Sequence, residues 1–152
     1  MKPFKLIISS CAIAFLISCN TNPTQNSAIN TKKSPSDSTF SVCYSYIVKK
    51  DSVLLNALMT GDSITGSLGY KLYEKDRANG SILGKMYGDT LRAVYTFVSE
   101  GTESTREVIF LKKDTLLIEG IGNVKDTNGK VVFENAKNVK FEGMVLQAVP
   151  CK

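Results

Sequence analysis

Apolar and polar residues alternate with a period of two through most of the chain from Phe40 to Cys151. This is the period of a β-strand, because successive side chains of a strand point to opposite faces of the sheet. The 3.6-residue period of an amphipathic helix is not sustained, and the pattern allows only single helical turns near Leu54–Met59 and Asn135–Asn138. The sequence therefore predicts an all-β domain.

Turn signals rich in Asp, Asn and Gly divide this region into short segments. The predicted strands are Val42–Val48, Val53–Leu58, Ile64–Glu74, Ser81–Tyr87, Leu91–Ser99, Arg106–Lys112, Leu116–Asn123, Val131–Asn135 and Val139–Ala148. A glycine stands two positions after an apolar residue inside four of them, at Gly66, Gly84, Gly120 and Gly143. Such glycines permit the sharp coiling that a narrow barrel needs. About eight or nine hairpin-connected strands favour a small antiparallel up-and-down β-barrel, with a β-sandwich as the alternative.

Residues 1–18 have the pattern of an export signal. Two lysines precede the apolar stretch Leu6–Ile17, which is shorter than the roughly 20 residues that cross a bilayer. The stretch ends in Leu16-Ile17-Ser18-Cys19, which resembles the bacterial lipobox. That resemblance implies cleavage before Cys19 and lipidation of its sulfur with palmitate-type chains, so that the protein is anchored to a membrane without spanning it. An ordinary secretory signal with a chance cysteine is the alternative.

Residues 19–39 continue from Cys19 as a segment rich in Asn, Thr, Ser and Pro. Such a composition buries too little apolar surface to offset the entropy of ordering, so a flexible tether is predicted ahead of a β domain at 40–152. Asn20 follows the cysteine where enterobacterial lipoproteins of the inner membrane carry Asp. By similarity, we expect an outer-membrane lipoprotein, and the lack of an acidic cluster in the tether favours the periplasmic face.

Two of the four cysteines are left for the domain, because Cys11 departs with the leader and Cys19 carries the lipid. Exported proteins fold in an oxidising compartment, so Cys43 and Cys151 are predicted to form a disulfide. Two unpaired thiols are the alternative. The bridge requires the first and last strands to be neighbours, as a closed barrel makes them.

Several short runs add to the lipobox and the tether. They are Tyr73-Glu74-Lys75-Asp76, Gly88-Asp89-Thr90-Leu91, Tyr95-Thr96-Phe97, Ser99-Glu100-Gly101 and Ser104-Thr105-Arg106-Glu107-Val108. With them the chain resembles small Bacteroidetes-type lipoproteins that carry lipocalin-like β domains. The resemblance implies a cell-envelope protein and transfers no catalytic residue. Lysozyme inhibitors and envelope-stress lipoproteins share the plan of lipid anchor, small barrel and single disulfide, and serve as analogies.

The composition argues against several functions. The chain has no His, which is the commonest acid–base residue and metal ligand. Gly61-Asp62-Ser63 is similar to a hydrolase Gly-Asp-Ser block, but no His exists to activate the serine. Residues 40–152 carry 15 basic and 13 acidic side chains, without the basic stripe that nucleic acid requires. We therefore expect no enzyme, no cofactor, no metal site and no nucleic-acid partner.

Strand alternation predicts one cluster of chemically distinctive residues. Tyr70 and Glu74 share a face of one predicted strand, and Tyr95 and Arg106 lie on the apolar faces of two others. If those faces point inward, all four residues reach one mouth of the barrel. Arg106 would then hold the anionic or polar group of a small ligand among aromatic rings. The alternative is a Glu74–Arg106 ion pair that plugs a ligandless barrel.

These features predict a lipid-anchored binding module for a small ligand in the barrel or for an envelope protein on its loops. The polar, acidic loop Ser99–Glu103 is the candidate contact for a basic protein partner, as in an inhibitor of the lysozyme-inhibitor type. The alternative is a structural or envelope-stress lipoprotein without a small ligand. An interior filled by side chains would argue against a ligand carried within the barrel.

Overall fold

The computed structural model describes residues 38–151, so the predicted leader, Cys19 and most of the tether lie outside the described residues. The strands are β1 (Thr39–Val48), β2 (Asp51–Thr60), β3 (Ser63–Lys71), β4 (Ala78–Tyr87), β5 (Thr90–Ser99), β6 (Thr102–Lys113), β7 (Leu116–Glu119), β8 (Val124–Thr127), β9 (Lys130–Phe133) and β10 (Val145–Ala148). A 3₁₀ turn spans Ala136–Asn138. Within 38–151 no helix is long and apolar enough to cross a membrane.

Eight of the ten strands close into an antiparallel barrel. Strands β1 to β6 pair in sequence order, β6 continues to β7, β7 pairs with β10, and β10 returns to β1. The predicted all-β barrel is confirmed, and the β-sandwich is wrong, because the ladder of pairings forms a complete ring. Strands β8 and β9 form an outer ribbon, in which β9 runs parallel to β6.

The middle of the barrel is filled with side chains. The inward-facing core consists of Tyr44, Val53, Leu55, Ala57, Met59, Ile64, Leu68, Tyr70, Ile82, Leu91, Ala93, Tyr95, Val108, Phe110, Leu117 and Leu146. Tyr95, Phe110, Leu55 and Leu146 are completely buried. Burial of this apolar surface is the main force that stabilises the barrel. The space in which a wider barrel would hold a ligand is therefore occupied by the protein itself.

Glycine permits close approach between strands at two inward positions. Gly66 lies opposite Ala57, and Gly84 lies opposite Ala93. A Cβ atom at Gly66 would collide with the backbone of Ala57 and of the residue before it. The neighbouring strand can approach so closely only because the side chain is missing.

Most predicted strands differ from the observed ones by a few residues at their ends, and three differ in ways that change the fold. The strand predicted at Ile64–Glu74 ends at Lys71, because the chain turns there and Glu74 adopts a φ of +56°. The strand predicted at Leu116–Asn123 ends at Glu119, and a separate strand, β8, follows it. Most of the segment predicted at Val139–Ala148 is irregular before β10 begins. The last two departures flank the ribbon, whose two strands are inserted in the chain between the barrel strands β7 and β10.

Cys43 and Cys151 lie at disulfide-bonding distance, with their Cα atoms 5.3 Å apart. The prediction that the first and last strands are neighbours is confirmed. Tyr44 lies opposite Ala148, and the backbone N–H of Val149 donates to the carbonyl of Cys43 at 2.9 Å. The cysteine pair thus links β1 to the segment that follows β10, where the ring of strands closes.

Candidate functional site

Three of the four predicted site residues meet inside the barrel near its distal end, defined as the end with the β1–β2, β3–β4 and β5–β6 turns. The ring centroids of Tyr70 and Tyr95 are 5.9 Å apart, and Tyr95 stacks on Phe97 at 4.7 Å. The Arg106 guanidinium carbon is 4.9 Å from the Tyr70 centroid and 5.4 Å from those of Tyr95 and Phe97. Cation–π attraction therefore orients Arg106 within an aromatic cage.

Glu119 is the carboxylate at this cluster, and the sequence analysis missed it. The Tyr70 hydroxyl donates a hydrogen bond to Glu119 Oε1 at 2.8 Å, and the Tyr95 hydroxyl donates to the carbonyl of Ala78 at 2.7 Å. Glu119 lies on β7, two positions after the buried Leu117, so both side chains face inward. That alternation was readable in the sequence and could have identified Glu119.

Glu74 is not part of the cluster. It lies on the exposed turn that follows β3, where its side chain faces solvent. Among residues 38–151 the one ion pair joins Arg92 to Glu107 at 2.7 Å, so Glu74 forms no ion pair with Arg106. The alternation that assigned Glu74 to the mouth stops at Lys71, where the strand ends.

The guanidinium of Arg106 is incompletely satisfied. Its Nε atom is buried and has no hydrogen-bond partner among the residues that the structure describes. Leaving a buried donor without an acceptor costs about 1–3 kcal/mol, and more for a charged group. A site that retains this cost is a candidate for binding an external acceptor.

Arg106 and Glu119 face a cavity of about 290 Å³ in the side of the barrel. Its remaining lining comes from Glu107, Val108, Ile109, Gly120, Ile121, Gly122, Val124, Val131 and Phe133. The cavity lies where β6 exchanges partners, pairing with β7 from Phe110 onward and with β9 only at Thr105 and Arg106. This lateral cavity gives a ligand access to Arg106 without passage through the filled interior.

The two tyrosines remain neutral over a wide pH range. Burial raises the pKa of Tyr70 well above its ordinary value of 10.0, and the neighbouring Glu119 raises it further while Arg106 lowers it. Burial also raises the pKa of Tyr95 to about 12, against an opposing effect of Arg106. Both hydroxyls are therefore hydrogen-bond donors near neutral pH, and the charged groups facing the cavity are those of arginine and glutamate side chains.

We expect the stability of the domain to decline as the pH rises above 10. A folded-state pKa of about 12 for Tyr95 means that its contribution is complete below pH 10, where the unfolded tyrosine ionises, and is lost as the pH rises through 12. Each unit of pKa difference corresponds to about 1.4 kcal/mol. Urea unfolding between pH 8 and about 12 measures this loss. The Tyr95→Phe variant should show a shallower decline, and an identical decline in both proteins would contradict the assignment.

A smaller cavity of about 130 Å³ lies at the opposite end of the barrel, lined by apolar side chains such as Phe40, Met59 and Met86 and by Lys112. Ligand cavities typically measure about 300–1,000 Å³, so this one is too small for most ligands. The described part of the chain contains no group of three or more acidic or cysteine side chains that could hold a metal ion.

The lateral cavity can bind an anion through Arg106, whose orientation is set by aromatic rings, while Glu119 can accept a hydrogen bond from a donor beside that anion. No family model, curated protein or solved structure matches the chain. The chemistry of these side chains is therefore the basis for a functional proposal.

Proposed function

We propose that the domain is the binding module of a lipid-anchored cell-envelope lipoprotein, and that its ligand is a small molecule carrying an anionic group. The observation that carries this proposal is that Arg106, a residue lining the lateral cavity, has a buried Nε without a hydrogen-bond partner among the described residues. A planar guanidinium is suited to carboxylate and phosphate groups, which can accept two parallel hydrogen bonds.

Glu119 narrows the class of ligand. A second negative charge on the ligand would be repelled by its carboxylate, whereas a hydroxyl or ammonium group would donate to it. The favoured ligand is a small carboxylate with such a donor near the acid group. A cavity of about 290 Å³ fits a molecule of this size.

The proposed location of the protein in the cell rests on sequence features. Leu16-Ile17-Ser18-Cys19 supports lipidation at Cys19, and Asn20 supports an outer-membrane protein that faces the periplasm. The tether would hold the domain within reach of periplasmic solutes. Non-enzymatic binding agrees with the lack of His in the chain.

A structural or envelope-stress lipoprotein without a small ligand is the second candidate. The filled barrel interior favours it, because no ligand can be enclosed there. The lysozyme-inhibitor-like alternative has less support. Its candidate loop, Ser99–Glu103, is a short turn in which only Glu100 and Gly101 lie between β5 and β6.

The Arg106→Met variant tests the binding function. We expect it to lose the ligand while remaining at least as stable as the wild type, because methionine fills similar space without an unpartnered buried charge. Native mass spectrometry of the full-length protein, extracted from bacterial membranes in mild detergent, should show a mass excess that disappears on denaturation. Lys85→Met is the matched control, since Lys85 is exposed on β4 outside the lateral cavity and this variant should retain the ligand.

Two outcomes would reject the proposal. The bare lipoprotein mass in the wild type would favour the structural candidate. An unchanged mass excess in Arg106→Met would place the ligand elsewhere on the molecule.

A further inference from the structure

A third cavity, of about 560 Å³, lies outside the barrel at its distal end, between the β1–β2 turn and the β3–β4 loop. Its lining consists of Ile47, Lys49, Lys50, Asp51, Ser52, Lys71, Leu72, Tyr73, Glu74, Lys75 and Arg77. Glu74, which the sequence analysis assigned to the barrel mouth, belongs here. No residue of this lining is shared with the lateral cavity at Arg106.

The charges of the domain are distributed unevenly. Residues 40–152 carry 15 basic and 13 acidic side chains, yet five basic and two acidic side chains line this cavity. Within the described range no cation of the lining forms an ion pair. Of the two acidic side chains, Asp51 already has a partner within the protein, because its carboxylate accepts a hydrogen bond from the backbone N–H of Tyr73 at 2.6 Å. The cavity therefore presents a local positive potential that favours an anionic partner.

Apolar and aromatic surface accompanies these cations. Tyr73 is 53% exposed, and Lys50 Nζ lies 3.9 Å from the centroid of its ring. Ile47, on the same rim, is 69% exposed. An exposed aromatic ring offers a flat surface on which the C–H face of a sugar ring can pack, while the cations beside it contact acidic substituents.

A smaller depression of about 300 Å³ extends this cavity along the outer face of β2, β3 and β4. The two share Ser52, Lys71 and Arg77. The extension adds the exposed side chains of Asn56, Ser67 and Asn79. Amides and hydroxyls both donate and accept hydrogen bonds, and this is the capacity needed to bind sugar hydroxyls.

We propose that this cationic groove, formed by the two connected depressions, binds an acidic saccharide. Carboxylate or phosphate substituents contact Lys49, Lys71 and Arg77, and sugar hydroxyls contact Asn56 and Asn79. An acidic peptide would use the cations equally well but would make less use of the amide and hydroxyl row. The groove is thus a second binding surface, which shares no lining residue with the lateral cavity at Arg106.

The test uses the full-length lipoprotein in phosphatidylcholine nanodiscs and a galacturonic acid tetramer as the probe, with the binding constant measured by calorimetry. We expect binding that weakens as ionic strength rises. The methyl-esterified tetramer, which has the same sugar rings without the charge, should not bind. Lys71→Gln/Arg77→Gln should weaken binding about tenfold or more through loss of charge-assisted contacts. Lys85→Gln/Lys137→Gln, which removes the same charge away from the groove, should leave it unchanged.

The Asn79→Ala variant distinguishes a saccharide-binding site from a surface that binds any anion. It should weaken binding of the tetramer several-fold while leaving binding of a tetra-aspartate peptide unchanged. Tetra-aspartate binding as tight as that of the tetramer, with no effect of Asn79→Ala, would overturn the saccharide assignment. Arg106→Met should bind the tetramer normally, so a failure of the small-ligand proposal would not be mistaken for a failure of this one.

Discussion

Loss of the Cys43–Cys151 disulfide is expected to lower the free energy of unfolding by about 4–5 kcal/mol. The two cysteines are 108 positions apart, so the bond closes a loop around the whole barrel and strongly restricts the unfolded chain. The bond also lies beside the shortest β-ladder of the ring, between β1 and β10. Strands β1 and β10 are paired only through Tyr44–Ala148 and Ser45–Gln147, whereas β1 and β2 are paired along their full length.

Urea unfolding of the Cys43→Ala/Cys151→Ala double variant measures this effect. The double change leaves no free thiol within residues 40–152 that could form bonds between molecules. Wild-type protein in the presence of a reductant should reproduce the loss, and the reductant should have no effect on the double variant. A difference below about 1 kcal/mol would show that the cysteine pair contributes little to stability in solution.

Truncation of Phe110 is expected to produce a loss of similar size. Phe110 is completely buried on β6, opposite Leu91 of β5 and Glu119 of β7. Phe110→Ala removes an aromatic ring from the centre of the core and leaves a cavity that the surrounding strands cannot fill. Such changes cost about 3–5 kcal/mol.

Leu83→Ala is the matched control for Phe110→Ala. Leu83 lies on β4 with its side chain outside the barrel and 64% exposed, so the same urea measurement should show a change within about 0.5 kcal/mol. Phe110→Leu should recover part of the loss because it restores buried volume. Equal losses in Phe110→Ala and Leu83→Ala would contradict the assignment of Phe110 to a packed core.

The local pattern of apolar and polar residues was sufficient to predict the class of fold. It also placed three of the four predicted site residues on inward faces. The period of two fixes which side of a strand each residue occupies, so Tyr70, Tyr95 and Arg106 were correctly grouped on inward faces. The pattern failed at Glu74, because alternation persists only while the backbone remains extended and the chain turns after Lys71. It missed Glu119, which lies on a short strand that ends just before the inserted ribbon.

The sequence by itself therefore determined the all-β domain, its inward faces and the cysteine pair that joins its ends, because these follow from periodicity, turn residues and the position of two cysteines. The tertiary structure decided that the interior is filled and that Arg106 faces a lateral cavity, since the site where β6 changes partners depends on long-range pairing. It also decided that Lys49, Lys71 and Arg77, which belong to a domain of nearly balanced charge, converge on one groove. The local charge density of a surface depends on which side chains the fold brings together, whereas the composition gives only their total charge.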